Sequence, residues 1–306
     1  MASDPAPSAK LSPATAFLLL MLLAFSWGLS WPVNKALLWY VSPIWAVALR
    51  LALAATVVGV LTYFTGKLRV PPRQDLPMVL SLSLLHMSAF AMLTSLGLVY
   101  VSAGRTVLLA YTTPLWVFPL AWLFAGEKLP PMRLVAVASG VAGLLLLVNP
   151  LAIQWSDVGI LTGHALILLA AIFWAASIVH TRMHKWVSSP FDLLFWQLLI
   201  AAALSAVIGL IFEGWPVIDV TAHFILLLLY GGTISTSLAY WALSTVNRSL
   251  PATTTALGLL AVPLFGVVSS MLTLGETFDM FTLAALLLIV GGIAIGTVPG
   301  GKTAAK

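Results

Sequence analysis

Ten apolar runs, each about as long as a membrane-crossing helix, follow one another along the chain. A helix needs roughly 20 apolar residues to cross a bilayer, and its own hydrogen bonds satisfy the backbone where no water is present. The runs predict an all-α integral membrane protein with ten transmembrane helices, in constant contact with membrane lipid. They lie near 14–38, 43–65, 77–98, 104–124, 131–149, 157–180, 190–212, 222–244, 251–273 and 280–298.

The composition excludes the other broad classes. Only 8% of the 306 residues are charged and 61% are hydrophobic, whereas a soluble domain is about 25% charged. A soluble fold of this length could not bury so much apolar surface, and a disordered chain would be polar. The lack of cysteine excludes disulfides, thiolate metal ligands and a cysteine nucleophile. A net charge of +5 on so apolar a chain does not indicate a nucleic-acid partner.

Prolines and aspartates mark the starts of several runs. Pro43, Pro190 and Pro251 each fall in a predicted first helical turn, where the missing N–H is not needed. Asp75 and Asp157 place negative charge at helix N-termini, where the helix dipole favours it.

The positive charges predict the orientation. With the N-terminus inside, the inside segments hold 11 of the 14 Lys and Arg residues, and the outside loops hold none. This matches the positive-inside rule. It predicts cytoplasmic tails at residues 1–13 and 299–306, in a bacterial-type inner membrane. The remaining three, Lys35, Arg50 and Arg105, lie within or next to helices.

The two halves of the sequence resemble each other. The matches predict two five-helix repeats, residues 14–150 and 151–298, around a central cavity. Five is an odd number, so the second repeat would cross the membrane in the opposite direction. Such inverted repeats are typical of secondary transporters, although a duplicated channel or enzyme is an alternative. At offsets of 147 to 149 residues, the matches pair Trp27 with Trp174, Ser30 with Ser177, Pro114 with Pro263 and Glu127 with Glu276.

The motifs Phe25-Ser26-Trp27-Gly28 and Phe173-Trp174-Ala175-Ala176, each followed by a mid-helix proline and Gly-Glu, resemble the EamA branch of the drug/metabolite transporter superfamily. The resemblance covers about residues 14–298 and is greatest to YddG-type exporters of aromatic amino acids. It implies a basket in which spans 1, 3, 4, 6, 8 and 9 line the cavity. It also implies export of aromatic and other neutral amino acids from cytoplasm to periplasm, without ATP. A carrier of another small metabolite or a drug is the alternative.

The acidic residues avoid the middle of every predicted span. A carboxylate proton relay or sodium site is therefore not expected. The chain has no metal-binding, nucleophile or phosphate-loop motif, so we expect neither an enzyme nor a cofactor. These features favour facilitated diffusion by alternating access, with a proton role through His86 as the alternative. A channel would lack counterflow exchange.

The candidate substrate-binding residues are aromatic and polar side chains on the predicted cavity helices. Helical spacing places Trp27, Ser30, Trp31 and Asn34 on one face of the first span. Aromatic walls suit the side chain of an amino acid, and hydroxyl or amide groups suit its ends. Ordinary helix packing is the alternative. The full set is Trp27, Ser30, Trp31, Asn34, His86, Phe90, Tyr111, Thr112, Trp174, Ser177, Tyr240 and Leu257.

Two ionisable residues within the spans each have two interpretations. His86 is mid-span and would contact substrate or respond to pH, or it would simply pack. Arg50 would attract a substrate carboxylate, or its side chain would snorkel to the interface. We favour snorkelling because the repeat counterpart of Arg50 is the neutral Gln197.

Four further residues are candidates for hinges and gates. Pro114 and Pro263 are predicted hinges, because a mid-membrane proline interrupts the helical hydrogen bonds. Glu127 and Glu276 are either gates or solvated caps of neighbouring helices.

Spans five and ten carry faces of small residues that predict tight packing away from the cavity. No dimer interface is indicated, so a monomer is expected.

Overall fold

The computed structural model describes residues 11–126, 131–148, 157–189, 191–250 and 252–297. These residues form helices and their connections, and they include no strand. Eight helical stretches are long and apolar enough to cross a membrane, and Leu134–Leu147 and Met280–Ile295 are shorter apolar helices. The predicted all-helical membrane fold, with ten apolar runs, is confirmed for this part of the chain.

The first half contains five helical runs, and the fourth is broken near its middle. A π-helical segment interrupts the third, which otherwise continues as one run. The segments are α1 (Pro13–Leu37), α2 (Pro43–Phe64), α3 (Leu76–Ser81), π1 (Leu82–Phe90), α4 (Ala91–Tyr100), α5 (Ala103–Ala110), α6 (Thr113–Ala125) and α7 (Pro131–Val148).

The second half repeats this order of segments. Its third run again contains a π-helical segment of nine residues, and its fourth run is again divided. The segments are α8 (Val158–Met183), α9 (Leu194–Phe212), α10 (Ala222–Leu229), π2 (Tyr230–Leu238), α11 (Ala239–Ser249), α12 (Ala252–Leu259), α13 (Ala261–Leu274) and α14 (Met280–Thr297).

The prolines divide the fourth runs where the sequence predicts a break. Pro114 lies in the first turn of α6, and Pro263 lies in the first turn of α13. A proline has no N–H to bond to the preceding turn, so a helix starts there more readily than it continues. The first break leaves residues 111–112 as a buried turn between α5 and α6.

The starts of some other helices agree with the sequence prediction, and one does not. Asp157 lies at the N-terminus of α8 as predicted, and its carboxylate caps the helix by accepting a hydrogen bond from Ile160 N–H (3.0 Å). Helix α9 begins at Leu194, because residues 191–193 form a turn, so the predicted start at 190 was too early. Pro190 and Pro251 lie outside the described residues.

Contacts between helix ends establish two ends of the bundle. One end is the end where α1 starts, which we call the Ser12 end; there Leu11 N–H donates to Oγ of Ser249, the last residue of α11. At the opposite end, the Lys35 end, the Lys35 ammonium donates to the carbonyl oxygen of Leu98 at the end of α4. The first turns of α8 also pack here, since a Cβ on Gly163 would lie 2.7 Å from a methyl group of Val101. Helices α1 and α8 therefore run in opposite directions.

The packing between the halves is reciprocal. Helix α7 packs against α14, and α2 packs against α9. Helix α1 packs against α13 just as α8, its counterpart, packs against α6. The small faces of spans five and ten are buried against each other, because a Cβ on Gly292 would lie 2.9 Å from the carbonyl oxygen of Ala136. Their predicted tight packing is confirmed, and neither helix borders the central cavity.

Asp75 connects the two halves at the Ser12 end. It precedes α3 as predicted, but its side chain does not cap that helix. Instead, its buried carboxylate accepts hydrogen bonds from Ser188 N–H (2.8 Å) and Val187 N–H (3.2 Å) and lies 2.9 Å from His184 Nε2. Burial raises the pKa of the Asp75 carboxyl, but the hydrogen bonds from His184, Ser188 and Val187 outweigh it and hold that pKa at about 2. The carboxylate thus stays ionised and ties α3 to the connection after α8.

Candidate functional site

A central cavity lies between the two halves. From the first half it is lined by α1, α2, π1, α4 and the break between α5 and α6. From the second half it is lined by α8, α9, π2 and the start of α11. Its volume of about 120 Å³ corresponds to roughly four waters at their liquid volume of about 30 Å³ each. The lining residues are Trp27, Ser30, Trp31, Asn34, Arg50, Leu51, His86, Met87, Phe90, Ala91, Thr94, Tyr111, Trp174, Leu198, Ser235, Thr236 and Tyr240.

Trp174 is the centre of an aromatic wall. Its ring stacks on His86 with a centroid distance of 5.3 Å and an interplanar angle of 10°. Phe90 lies 4.9 Å from it, and Tyr111 meets it edge-on at 5.7 Å. These are favourable geometries for aromatic pairs. The wall is assembled from α8, π1 and the break between α5 and α6, which are far apart in the sequence.

Tyr240 extends this wall to α1. Its ring lies 6.3 Å from His86 and 6.0 Å from Trp27. The indole N–H of Trp27 donates to the carbonyl oxygen of Ser235 at 3.1 Å, which joins α1 to π2. The aromatic side chains thus form one connected surface across both halves.

The two π-helical segments border the cavity from opposite halves. A π-helix has a wider turn than an α-helix and frequently occurs at functional sites. In π2 the hydroxyls of Thr236 and Ser237 donate to carbonyl oxygens five residues earlier, Gly231 at 2.7 Å and Gly232 at 2.8 Å. The candidate set contains no π2 residue, although this cluster of glycines and hydroxyls in an apolar run was a signal that could have revealed it.

Most hydroxyls of the cavity already donate to their own helices. Ser30 donates to the carbonyl oxygen of Trp27 (2.6 Å), and Thr94 donates to that of Phe90 (2.8 Å). Ser235 and Thr236 donate to the carbonyl oxygen of Gly231. Five other lining side chains form no hydrogen bond or ion pair within the described residues and remain available to a ligand. They are Asn34, Arg50, His86, Tyr111 and Tyr240.

Nine of the twelve residues singled out from the sequence line this cavity. They come from five different helical runs and from both halves. They are Trp27, Ser30, Trp31, Asn34, His86, Phe90, Tyr111, Trp174 and Tyr240.

The other three lie outside the lining. Thr112 is buried, and its hydroxyl donates to the carbonyl oxygen of Leu109 at 2.6 Å. Ser177 is also buried and donates to the carbonyl oxygen of Trp174 at 2.7 Å. Leu257 is exposed on the surface of the bundle. Helical spacing predicts which residues share a face, but only the packing decides whether that face meets a cavity, a neighbouring helix or lipid.

Arg50 corrects the sequence interpretation, because it lines the cavity instead of snorkelling to an interface. Lys35 and Arg105, the other two basic residues within or next to helices, do not line the cavity. Lys35 donates to the end of α4, and Arg105 lies 3.9 Å from the carboxylate of Asp279. Among the described residues, Arg50 is thus the one Lys or Arg that borders the cavity.

Glu276 lies at the Lys35 end, outside the cavity. Its Oε1 accepts a hydrogen bond from Ala103 N–H (2.7 Å), and its Oε2 accepts one from Gly104 N–H (2.9 Å). It therefore caps α5 in the opposite half, and it is half-buried rather than fully solvated. Glu127, its repeat counterpart, lies outside the described residues.

Known relatives resemble the chain over most of its length. An uncharacterized transporter of Bacillus subtilis (strain 168), YvbV, is 28% identical over 280 residues, which cover 91% of this chain and 90% of the relative. A protein of Salmonella typhimurium (strain LT2) named "Probable amino-acid metabolite efflux pump" is 26% identical over 285 residues, covering 90% and 93%. A "Riboflavin transporter" of Rhizobium johnstonii is 30% identical over 114 residues, covering 37% and 36%.

A solved crystal structure has the same fold, with a TM-score of 0.65 and 19% sequence identity over 93% of this chain and 98% of the other. The sequence pattern of the EamA-like transporter family matches twice, at residues 14–149 and 161–297. These two matches together span most of the chain and coincide with its two sets of helices. The chain is therefore a member of the EamA-like transporter family.

Proposed function

We propose that this protein is a secondary transporter that exports aromatic and other neutral amino acids by alternating access. The observation that carries the proposal is the central cavity, where the aromatic wall around Trp174 adjoins polar side chains without a protein partner. An aromatic or aliphatic side chain would pack on the wall, and the polar ends of the amino acid would bond the free groups. Transport would need neither a cofactor nor a chemical step.

The relatives favour this substrate class over the alternatives. The Salmonella relative, whose name gives an amino-acid metabolite, aligns with nine-tenths of this chain. The Rhizobium relative named for riboflavin aligns with little more than a third. Transport of another small metabolite or of a drug is therefore the second candidate function.

The reciprocal packing of the halves supports inverted repeats and alternating access. Two copies of one unit that run in opposite directions can exchange conformations, which opens the site first to one side and then to the other. The helix breaks beside Pro114 and Pro263 are the natural hinges, because there the backbone lacks continuous helical hydrogen bonds. We expect a monomer to carry out the whole cycle.

The Glu276 cap would then act as a gate that holds the Lys35 end closed. Both carboxylate oxygens of Glu276 now accept hydrogen bonds from backbone N–H groups, whereas the amide of Gln has only one acceptor oxygen. Glu276→Gln should therefore shift the equilibrium toward the open state about tenfold. The measurement is the rate at which a membrane-impermeant maleimide labels Leu98→Cys, a buried residue near this end. Asp279→Asn is the matched control, because it removes only an exposed ion pair with Arg105 at the same end, and it should change the labelling rate little. Equal labelling rates with and without Glu276→Gln would refute the gate.

The charge pattern supports an inner-membrane protein with cytoplasmic termini. Because the chain has no native cysteine, one introduced cysteine reports one position. Val217, 87% exposed, should react as Val217→Cys with an impermeant maleimide in intact bacteria. Val70, 80% exposed at the opposite end, should react as Val70→Cys only after permeabilisation. The reverse pattern would contradict the proposed orientation.

Counterflow in proteoliposomes tests the proposed activity. Vesicles preloaded with unlabelled phenylalanine, tryptophan or leucine should transiently accumulate the labelled amino acid from a dilute external solution. No ion gradient should be required if transport is facilitated diffusion. Riboflavin, assayed in the same way, tests the second candidate. If no amino acid accumulates, the amino-acid proposal fails, and flux without counterflow would indicate a channel.

A further inference from the structure

Arg50 lies where the central cavity joins a smaller pocket. The two spaces share Asn34, Arg50, Ala91 and Thr94. Ser95 and Leu98 also line the smaller one, toward the Lys35 end. We call this smaller pocket the polar annex. Its volume of about 20 Å³ has room for about one water-sized group, such as one oxygen of a carboxylate.

The hydrogen bonds of the annex leave it with donors to offer. Thr94 donates to the carbonyl oxygens of Phe90 and Ala91, and Ser95 donates to that of Pro43 at 2.9 Å. The Arg50 guanidinium and the Asn34 amide form no hydrogen bond within the described chain. A guanidinium carries only donors, in a planar fork that matches a carboxylate.

No carboxylate among the described residues pairs with the charge of Arg50. No described acidic residue lines either the cavity or the annex. Arg50 is seven residues into α2, about 10 Å along the helix axis from its start. An ionised group at such a depth is costly unless it is paired, and it marks a functional site by default.

The side chain is also held in position. A Cβ on Gly231 would lie 3.0 Å from Arg50 Cδ and 3.3 Å from Cγ, so the stem of the arginine packs directly against the backbone of π2. Because Gly231 has no side chain, the arginine stem can lie against π2 and its guanidinium can reach the annex. A Cβ at position 231 would force the arginine stem to move by a few tenths of an ångström.

We propose that Arg50, assisted by Asn34, binds the carboxylate of the transported molecule in the polar annex while the aromatic wall holds its apolar part. This rests on the proposed function and narrows its substrate class to carboxylates. Because the described cavity offers a cation and no carboxylate for an ammonium group, an aromatic acid without an amine should bind at least as well as the amino acid.

Equilibrium binding to the full chain in lipid nanodiscs tests this assignment. The probes are labelled L-phenylalanine and labelled 3-phenylpropionate, with 2-phenylethylamine as a competitor that lacks the carboxylate. Arg50→Gln should raise the Kd of both carboxylates about 10- to 100-fold. Arg50→Lys should give an intermediate Kd, because it keeps the charge but loses the planar fork. The amine should not compete with either probe.

Arg105→Gln is the matched control, because Arg105 is also a cation near the Lys35 end but does not line the cavity, and its Kd values should match the wild type. Gly231→Ala should weaken binding without removing any charge, and Asn34→Ala removes the second donor. These two variants carry the test if Arg50→Gln does not fold.

The outcomes separate this inference from the proposed function. If Arg50→Gln folds and binds 3-phenylpropionate like the wild type, the Arg50 assignment is overturned, even where amino acids show counterflow. If the wild type binds 3-phenylpropionate through Arg50 but shows no amino-acid counterflow, the amino-acid proposal fails and the carboxylate site stands. If the wild type binds neither carboxylate, both are overturned.

Discussion

Trp174→Ala should lower the counterflow of aromatic amino acids about 30-fold or more. The indole contacts His86, Phe90 and Tyr111 and presents its remaining surface to the cavity. Truncation of a packed aromatic residue costs about 3–5 kcal/mol. If about 2 kcal/mol of that is lost from substrate binding, the affinity falls about 30-fold. Initial rates of labelled phenylalanine uptake into preloaded vesicles measure the effect.

Two controls separate a site effect from a general loss of structure. Trp174→Phe keeps an aromatic ring at the centre of the wall and should retain most of the activity. Trp215→Ala removes an indole that is 82% exposed and should leave the rate unchanged. A folded Trp174→Ala protein that transports at the wild-type rate would show that the aromatic wall does not hold the substrate.

Gly28→Val should strongly reduce the amount of folded protein. A Cβ at Gly28 would lie 2.4 Å from Phe265 Cβ and 2.9 Å from the backbone nitrogen of Gly266, so α1 and α13 would have to separate. Overpacking against backbone costs about 3 kcal/mol or more. The interface joins the two halves beside the cavity, so both the melting temperature and transport should fall.

Gly291→Val is the matched control for this substitution. Gly291 lies inside α14, and a Cβ there would meet no atom within 4 Å. It should therefore show only the small effect of replacing a helical glycine. Monodispersity in size-exclusion chromatography and the melting temperature report both variants. If Gly28→Val melts at the wild-type temperature, the close packing of α1 on α13 is incorrect.

The helical runs could be read from the sequence because the bilayer imposes a length and a composition on any segment that crosses it. Pro114 and Pro263 marked the breaks in the fourth runs for an equally local reason, since proline cannot continue the hydrogen bonds of a helix. The start of α9 at Leu194 was not predicted, because residues 191–193 form a turn and not the first turn of a helix.

The cavity could be predicted only in part. The face of α1 that carries Trp27, Trp31 and Asn34 follows from helical periodicity, and it does line the cavity. The same reasoning included Ser177 and Leu257, which lie elsewhere. An aromatic or hydroxyl residue looks alike in the sequence whether its face meets a ligand, a neighbouring helix or lipid.

Arg50 and Glu276 show what pairwise packing adds. Snorkelling was a reasonable expectation for a lone arginine near a helix end, but whether water, lipid or a cavity surrounds it depends on π2 across the interface. Glu276 was considered as a cap of a neighbouring helix, whereas it caps α5 of the other half. The start of α5 is far from Glu276 in the sequence, and π2 is also far from Arg50.

The amino-acid sequence by itself determined the number of apolar runs, their breaks and the duplication, because helix formation in a membrane is local and depends on length, hydrophobicity and proline. Only the tertiary structure decided which side chains share the cavity, where Arg50 lies and what Glu276 caps. Those features arise from contacts between residues 52 to 208 positions apart in the sequence. Side-chain packing between helices selects such contacts, and no local pattern in the chain encodes them.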